Sequence, residues 1–404
     1  MSKLNKGMVK MQVKTKKVTK QKDSNTKINL SSLKSGNRVD LPLLIVVLML
    51  VALGLVMVLS ASSPTALAES GKSYTYFKTQ CIAAVMGLVF MYILSKLNYD
   101  IYKHFYKLIY ILSVGILFLV LLPVIGSGAN GARRWINIGI GVQPSEITKI
   151  GLIIWVAGYY SDPKNKIQGM WKSCLKPLVA VGIPILILLF VQNHLSAGII
   201  IGFVTVVMII MSGCQIKYLT SLIGAGLGAC IIAFPFVKDK LMSSFRSDRI
   251  LAWLDPWANT SGTSYQTVQG LYAIGSGGLF GVGLGESTQK YLYIPEAHND
   301  FIFAILAEEL GFIGCAIVLA LFTVLIVRGV LIAIRAKDTF GSLIAIGITA
   351  LIAIQVILNI AVVTNSMPNT GISLPFLSYG GSSLVILLSS MGILMNISRS
   401  AKKI

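Results

Sequence analysis

The chain has 404 residues, 55% of them apolar and 12% charged, with a mean hydropathy of +0.77 and a formal net charge of +20. These values exclude a soluble globular protein. Several runs reach the roughly 20 apolar residues that cross a bilayer, so the sequence specifies an all-α integral membrane protein with both termini cytoplasmic. Five cysteines, most of them in or beside apolar runs, give no disulfide framework, and three histidines without ligand spacing give no metal site.

Residues 1–40 hold eleven Lys or Arg and no apolar run, which reads as a basic, disordered cytoplasmic tail rather than a cleavable signal. In a soluble protein such charge would suggest nucleic acid; here anionic lipid headgroups are the fitting partner, and no nucleic acid is expected. Ten spans are predicted in the membrane domain, 41–404, at about 41–61, 79–95, 107–125, 145–160, 177–192, 196–213, 217–237, 301–327, 341–364 and 377–397. With both termini inside, 25 of the 35 Lys and Arg lie on or beside inner segments, as the positive-inside rule requires.

The ten remaining cations fall mostly in two outer loops, about 126–144 and 238–300. Cations held outside against the topological bias suit an anionic ligand at the outer surface, although pairing with Asp, Glu and headgroups is the plainer account. The first loop places Arg133 and Arg134 beside the interfacial aromatic Trp135. Pro144-Ser145-Glu146 then starts a helix, with Glu146 in its first turn and Lys149 three residues on. That pair is expected to hold the helix end, and it also suits the wall of a polar cavity.

The second loop, 238–300, carries Trp253, Trp257, Tyr265 and Tyr272 and is too aromatic for disorder. SYQTVQGLYAIGSGGLFGVGLG, which includes Gln269, reads as a short helix followed by a glycine-rich turn whose backbone packs closely. It leads through Lys290 to Glu296, His298 and Asp300, at the lip of an apolar run. An acidic residue there is either functional or a helix N-cap, and position alone leaves both readings open. A last outer connection, NSMPNTGISLPFLSYGGSSLV, interrupts a span with two prolines and a Gly-Gly and contains Ser378 and Tyr379.

Three stretches in order carry a resemblance: GARRWINIG with QPSEITK, then GLGESTQKYLYIPEAHNDFIFAILAEELGFIG, then NTGISLPFLSYGGSSL with MGILMNISR. They resemble the FtsW/RodA/SpoVE (SEDS) family, and the FtsW/SpoVE branch more than RodA, over about 360 residues from Leu41 on. The resemblance implies ten transmembrane helices and a peptidoglycan glycosyltransferase of the plasma membrane that polymerises lipid II. It also implies a class B penicillin-binding protein as transpeptidase partner, with other division or sporulation membrane proteins. Asn193-His194-Leu195-Ser196-Ala197 departs from the family's usual Pro-Asp-Leu-Gly-Thr, so any role of that family aspartate is not carried over. Asn299 stands where Thr is more usual.

The family's catalytic aspartate falls on Asp300, the residue already singled out by position. Expected substrate-binding residues are Arg133, Arg134, Lys290, Glu296, His298, Gln269, Ser378 and Tyr379. The sequence names no cofactor; Arg133, Arg134, Lys290 or a divalent cation, Mg or Mn, are the alternative holders of the pyrophosphate. Two readings from other classes stay open on sequence alone: a lipid II flippase and a non-catalytic division scaffold.

Overall fold

The computed structural model describes residues 39–401 except 121–125, 130–131, 138–140, 166–168, 216, 219, 223, 225–243, 259, 261 and 263. In the membrane part the described helices are α1 (Leu41–Ser70), α2 (Thr75–Lys96), α3 (Asp100–Leu119), α4 (Pro144–Ser161), α5 (Lys176–Phe190) and α6 (Leu195–Met211). Two shorter helices, α7 (Ser244–Leu254) and α8 (Tyr265–Ser276), lie in the second outer loop, before α9 (Ile302–Arg335), α10 (Thr339–Val363) and α11 (Gly381–Ser400).

Seven helical stretches among the described residues are long and apolar enough to cross a membrane: α1, α2, α3, α9, α10, α11, and α5 with the preceding turn from Trp171. With α4 and α6 they match nine of the ten expected spans; the expected span at 217–237 lies largely outside the described residues. The chain is a multi-pass helical membrane protein.

Two expectations shift at helix ends. The third span begins at Asp100 rather than 107, because the acidic residue suits a helix N-terminus and extends the helix by two turns of mixed polarity. At α1, Asp40 belongs to the fold rather than to the tail: its carboxylate accepts from the Leu43 N–H at 3.0 Å and pairs with Arg328 of α9, whose Nε lies 3.1 Å away.

The first outer loop adds a small sheet to the all-α architecture. It contains a three-stranded antiparallel sheet, β1 (Gly126–Ala129), β2 (Ala132–Asn137) and β3 (Gly141–Val142), in that order across the sheet. Strands of only two to six residues give almost no alternating pattern to read.

At the centre, α10 is packed against α4, α6 and α9, while α2 and α11 form a separate close pair. At that pair Gly392 faces the Met91 backbone, where a Cβ would come within 2.5 Å of the carbonyl oxygen. Small residues at such crossings let backbones meet and gain dispersion contacts where lipid supplies no hydrophobic drive.

Candidate active site

α9 is the element that positions Asp300, and it begins two residues later. Its N-cap position is Phe301 and no side chain caps it, so the structure does not use Asp300 as the cap. Asp300 is half-buried, and its backbone is tied down from another helix. Asn359 of α10, fully buried, donates from one side-chain amide to the carbonyl of Asp300 at 2.9 Å and to that of Ile372 at 2.6 Å. Gly371 closes the other side: its φ is +68°, and a Cβ there would sit 3.1 Å from Oδ2 of Asp300. Burial pushes the Asp300 carboxyl up to about 6; Glu296 adds to the rise, and Arg249 and Arg134 oppose it.

Both arginines are aimed by main-chain carbonyls. Arg134, on β2, donates from Nε to Gln192 O at 3.2 Å and from a terminal nitrogen to Asn193 O at 2.5 Å. Arg249, on α7, donates to Asn369 O at 3.0 Å. Burial lowers the pKa of both while the Asp300 charge raises it, and a guanidinium remains charged throughout. A half-buried carboxylate within the electrostatic reach of two tethered cations suits a doubly anionic ligand beside a proton acceptor.

Arg249 is the residue that sequence reasoning leaves out of the site. It is visible there only as one of the retained outer cations. Arg133 lies in β2 opposite Gly128, and its side chain is outside the described residues.

Lys290 is placed differently from expectation. Its Nζ is buried and 3.0 Å from Oε1 of Glu309, so its charge is spent on an ion pair rather than on a ligand beside Asp300. A partner nineteen residues along, across an irregular turn, is not readable from spacing.

His298 is buried in an aromatic triangle, with ring centroids 4.6 Å from Tyr76 and 5.5 Å from Tyr379. Its carbonyl accepts from the Tyr379 N–H at 2.9 Å, which joins the Asp300 segment to the last outer connection. Burial lowers its pKa, so it is neutral at pH 7. Ser378 builds the adjoining turn: its hydroxyl accepts from Leu374 N at 2.7 Å. Gln80 of α2 holds the same turn, donating to Ser378 O at 3.2 Å and accepting from Gly380 N at 3.1 Å. Glu296 is exposed and accepts from the Asn299 amide at 2.7 Å. Gln269 is half-buried on α8, next to Gly270, which lies against the Phe301 ring.

Glu146 and Lys149 pair at 2.8 Å in the first turns of α4. Glu146 lines a polar cavity with Gln355, Ser373, Ser378 and Ser383. His194 is buried near Arg134 and Lys149, and its pKa is pushed down to about 3 by burial and then by those two charges. In the stretch where the family usually carries an aspartate, this chain therefore holds a neutral ring.

Together these features define a multi-pass membrane protein with one carboxylate, Asp300, in the field of two arginines, Arg134 and Arg249. A family model described as "Cell cycle protein", covering FtsW, RodA and SpoVE, matches residues 41–403. The chain belongs to the FtsW/RodA/SpoVE family. It is 40% identical over 364 residues to stage V sporulation protein E of Bacillus subtilis, covering 90% of this chain and 98% of that one. It is also 40% identical over 365 residues to a probable peptidoglycan glycosyltransferase FtsW of Trichlorobacter lovleyi, covering 90% and 94%.

Among solved structures, a peptidoglycan synthase complex described for its coordination of polymerization and crosslinking matches with a TM-score of 0.73 at 26% identity, covering 89% of this chain and 98% of that chain. The rod shape determining protein RodA of Thermus thermophilus matches with a TM-score of 0.65 at 26% identity, covering 90% and 98%.

Proposed function

We propose that this protein is a peptidoglycan glycosyltransferase that polymerises lipid II at the outer face of the cytoplasmic membrane, serving cell division or sporulation. The observation that carries the reading is the Asp300 carboxylate, half-buried, free of any capping role and under the opposing charges of Arg134 and Arg249. Relatives named as glycosyltransferases favour polymerisation over transport or scaffolding.

The chemistry fits that set. Lipid II carries its disaccharide α-linked to a pyrophosphate, and the new glycosidic bond is β, so a single displacement inverts the anomeric carbon. The acceptor hydroxyl oxygen attacks C1, its proton passes to Asp300, and the C1–O bond to pyrophosphate breaks with its electron pair. Such a step needs one base poised near the working pH and a cationic seat for the leaving group. A carboxyl raised to about 6 is a better base than an ordinary one while remaining ionised at pH 7. Arg134 and Arg249 supply the seat as permanent cations held in place by main-chain carbonyls.

A Mg or Mn ion takes one or two carboxylates and completes its shell with phosphate and water oxygens. Glu296, exposed and within the electrostatic reach of Asp300, would hold such an ion, which would supply positive charge to the pyrophosphate. Among the described residues no group of three His, Cys, Asp or Glu forms a cage for a metal. The likeness to a synthase complex that couples polymerization to crosslinking supports a class B penicillin-binding protein as partner.

The test is to purify the protein with that partner, supply labelled lipid II and resolve the products by size. A ladder of glycan strands supports the reading. Intact lipid II after incubation with a folded complex would sink it.

A further inference from the structure

Residues 285–301, which carry Asp300, form no helix or strand, so the carboxylate depends on ties from outside the segment. Asn359 and Tyr379 hold its far end, and a second set of anchors for its near end sits on α9. At Gly311 α9 breaks, with φ 65° and ψ −167°. The glycine-rich stretch replaces the lost helical bonds: Val282 N and Gly283 N donate to Glu308 O and Glu309 O at 2.9 and 3.1 Å, and Phe312 N and Ile313 N donate to Gly278 O and Leu279 O at 2.9 and 3.1 Å.

The two carboxylates at this break then grip the next turn. Glu308 accepts from Ser287 Oγ at 2.5 Å and from both Thr288 N and Oγ1 at 3.0 Å. Glu309 accepts from Lys290 Nζ at 3.0 Å and from Ser60 Oγ of α1 at 2.6 Å. Lys290 also donates to Ser60 Oγ at 3.1 Å and to Gly285 O, so the three side chains close a triangle between α1, the segment and α9. Lys290 and Glu309 are both buried, at 4% and 1% exposure.

Between Lys290 and Asp300 the backbone is strained. Leu292 and Glu296 are held at φ 67° and 48°, a left-handed region that side-chain-bearing residues rarely occupy. Such conformations persist only where the surroundings over-determine them. The left-handed pair therefore depends on the anchors at both ends of the segment.

We propose that Lys290, Glu309 and Ser60 are positioning residues for glycosyl transfer, a locked triangle that holds the strained segment so that Asp300 faces its two arginines. The inference rests on the polymerase reading with Asp300 as base. A buried ion pair is weak evidence of stabilisation, since packed apolar replacements are often neutral. A purely structural pair and a positioning pair therefore differ in what a matched apolar replacement does.

The double variant Lys290→Met, Glu309→Met makes that distinction, assayed in the full complex with lipid II beside wild type and Asp300→Asn. The expected result is a folded, inserted protein whose kcat falls at least tenfold while KM for lipid II changes less than threefold. The acidic limb of its pH–rate profile also moves, because Asp300 has left its arginines. Wild-type kcat and pH profile in the folded double variant overturn the inference while leaving the polymerase reading intact. No strands from wild type overturn both. Where the double variant fails to insert, Ser60→Ala carries the test, since it removes one contact from each charged partner without unpairing them: kcat falls with KM unchanged, and an unchanged kcat overturns the inference.

Discussion

The side-chain amide of Asn359 lies 2.9 Å from the backbone carbonyl of Asp300, and this single donor also reaches Ile372 O at 2.6 Å. Two outer segments distant in sequence are thereby fastened to one buried side chain of the central helix. Asn359→Leu is isosteric enough to stay in the helix but leaves both carbonyls unpartnered. Unmade buried hydrogen bonds cost about 1–3 kcal/mol each. Thermal unfolding in detergent is expected to shift down, and strand synthesis to fall further than the loss of folded protein explains. Unchanged turnover per folded molecule would remove Asn359 from the site.

Gly371 tests the same placement from the other side. Its φ of +68° penalises any Cβ, and that Cβ would press on Oδ2 of Asp300 at 3.1 Å. The left-handed backbone alone costs an alanine about 1–2 kcal/mol. Gly371→Ala is expected to lower kcat by about tenfold or more, given how steeply rate depends on near-ångström placement. Steady-state kinetics on lipid II check this, and wild-type kcat would contradict it.

The raised carboxyl gives a pH signature. A base must be ionised to act, so kcat/KM is expected to rise with pH through an apparent pKa near 6 and level off above it. Arg249→Gln removes a charge that lowers this pKa and moves the limb to higher pH; Glu296→Gln removes one that raises it and moves the limb to lower pH. Shifts in the opposite directions would show that another group titrates.

Stability follows with the opposite sense. A carboxyl whose folded pKa lies above its unfolded one favours folding when protonated, below about pH 4, and that contribution is lost as pH rises through about 6. At pH 7.5 Asp300→Asn is therefore expected to unfold at a higher temperature than wild type, by roughly 2–3 kcal/mol of stability at most. The difference should vanish near pH 4. Equal melting at both pH values would show that the carboxylate is not held in a desolvated place.

Much of this was legible in the sequence, for physical reasons. Apolar runs interrupted by polar turns located nine helices, and an acidic residue at the lip of one located Asp300. Glu146 and Lys149 were legible because three residues make one helical step. What escaped depends on contacts between distant segments. Arg249 meets Asn369 across 120 residues, and Lys290 meets Glu309 across an irregular turn. Asn359 left a signal that could have been read, an amide in ILNIAVV near the end of an apolar helix, where an unpartnered polar group is too costly to be idle.

Strand synthesis by Asp300→Asn is the most direct measurement. The variant keeps shape and backbone ties but cannot accept a proton, so the purified complex is expected to bind lipid II, remain folded and make no glycan strands. Strands at the wild-type rate from Asp300→Asn would contradict Asp300 as the base, and with it the seating of the pyrophosphate by the two arginines that flank it.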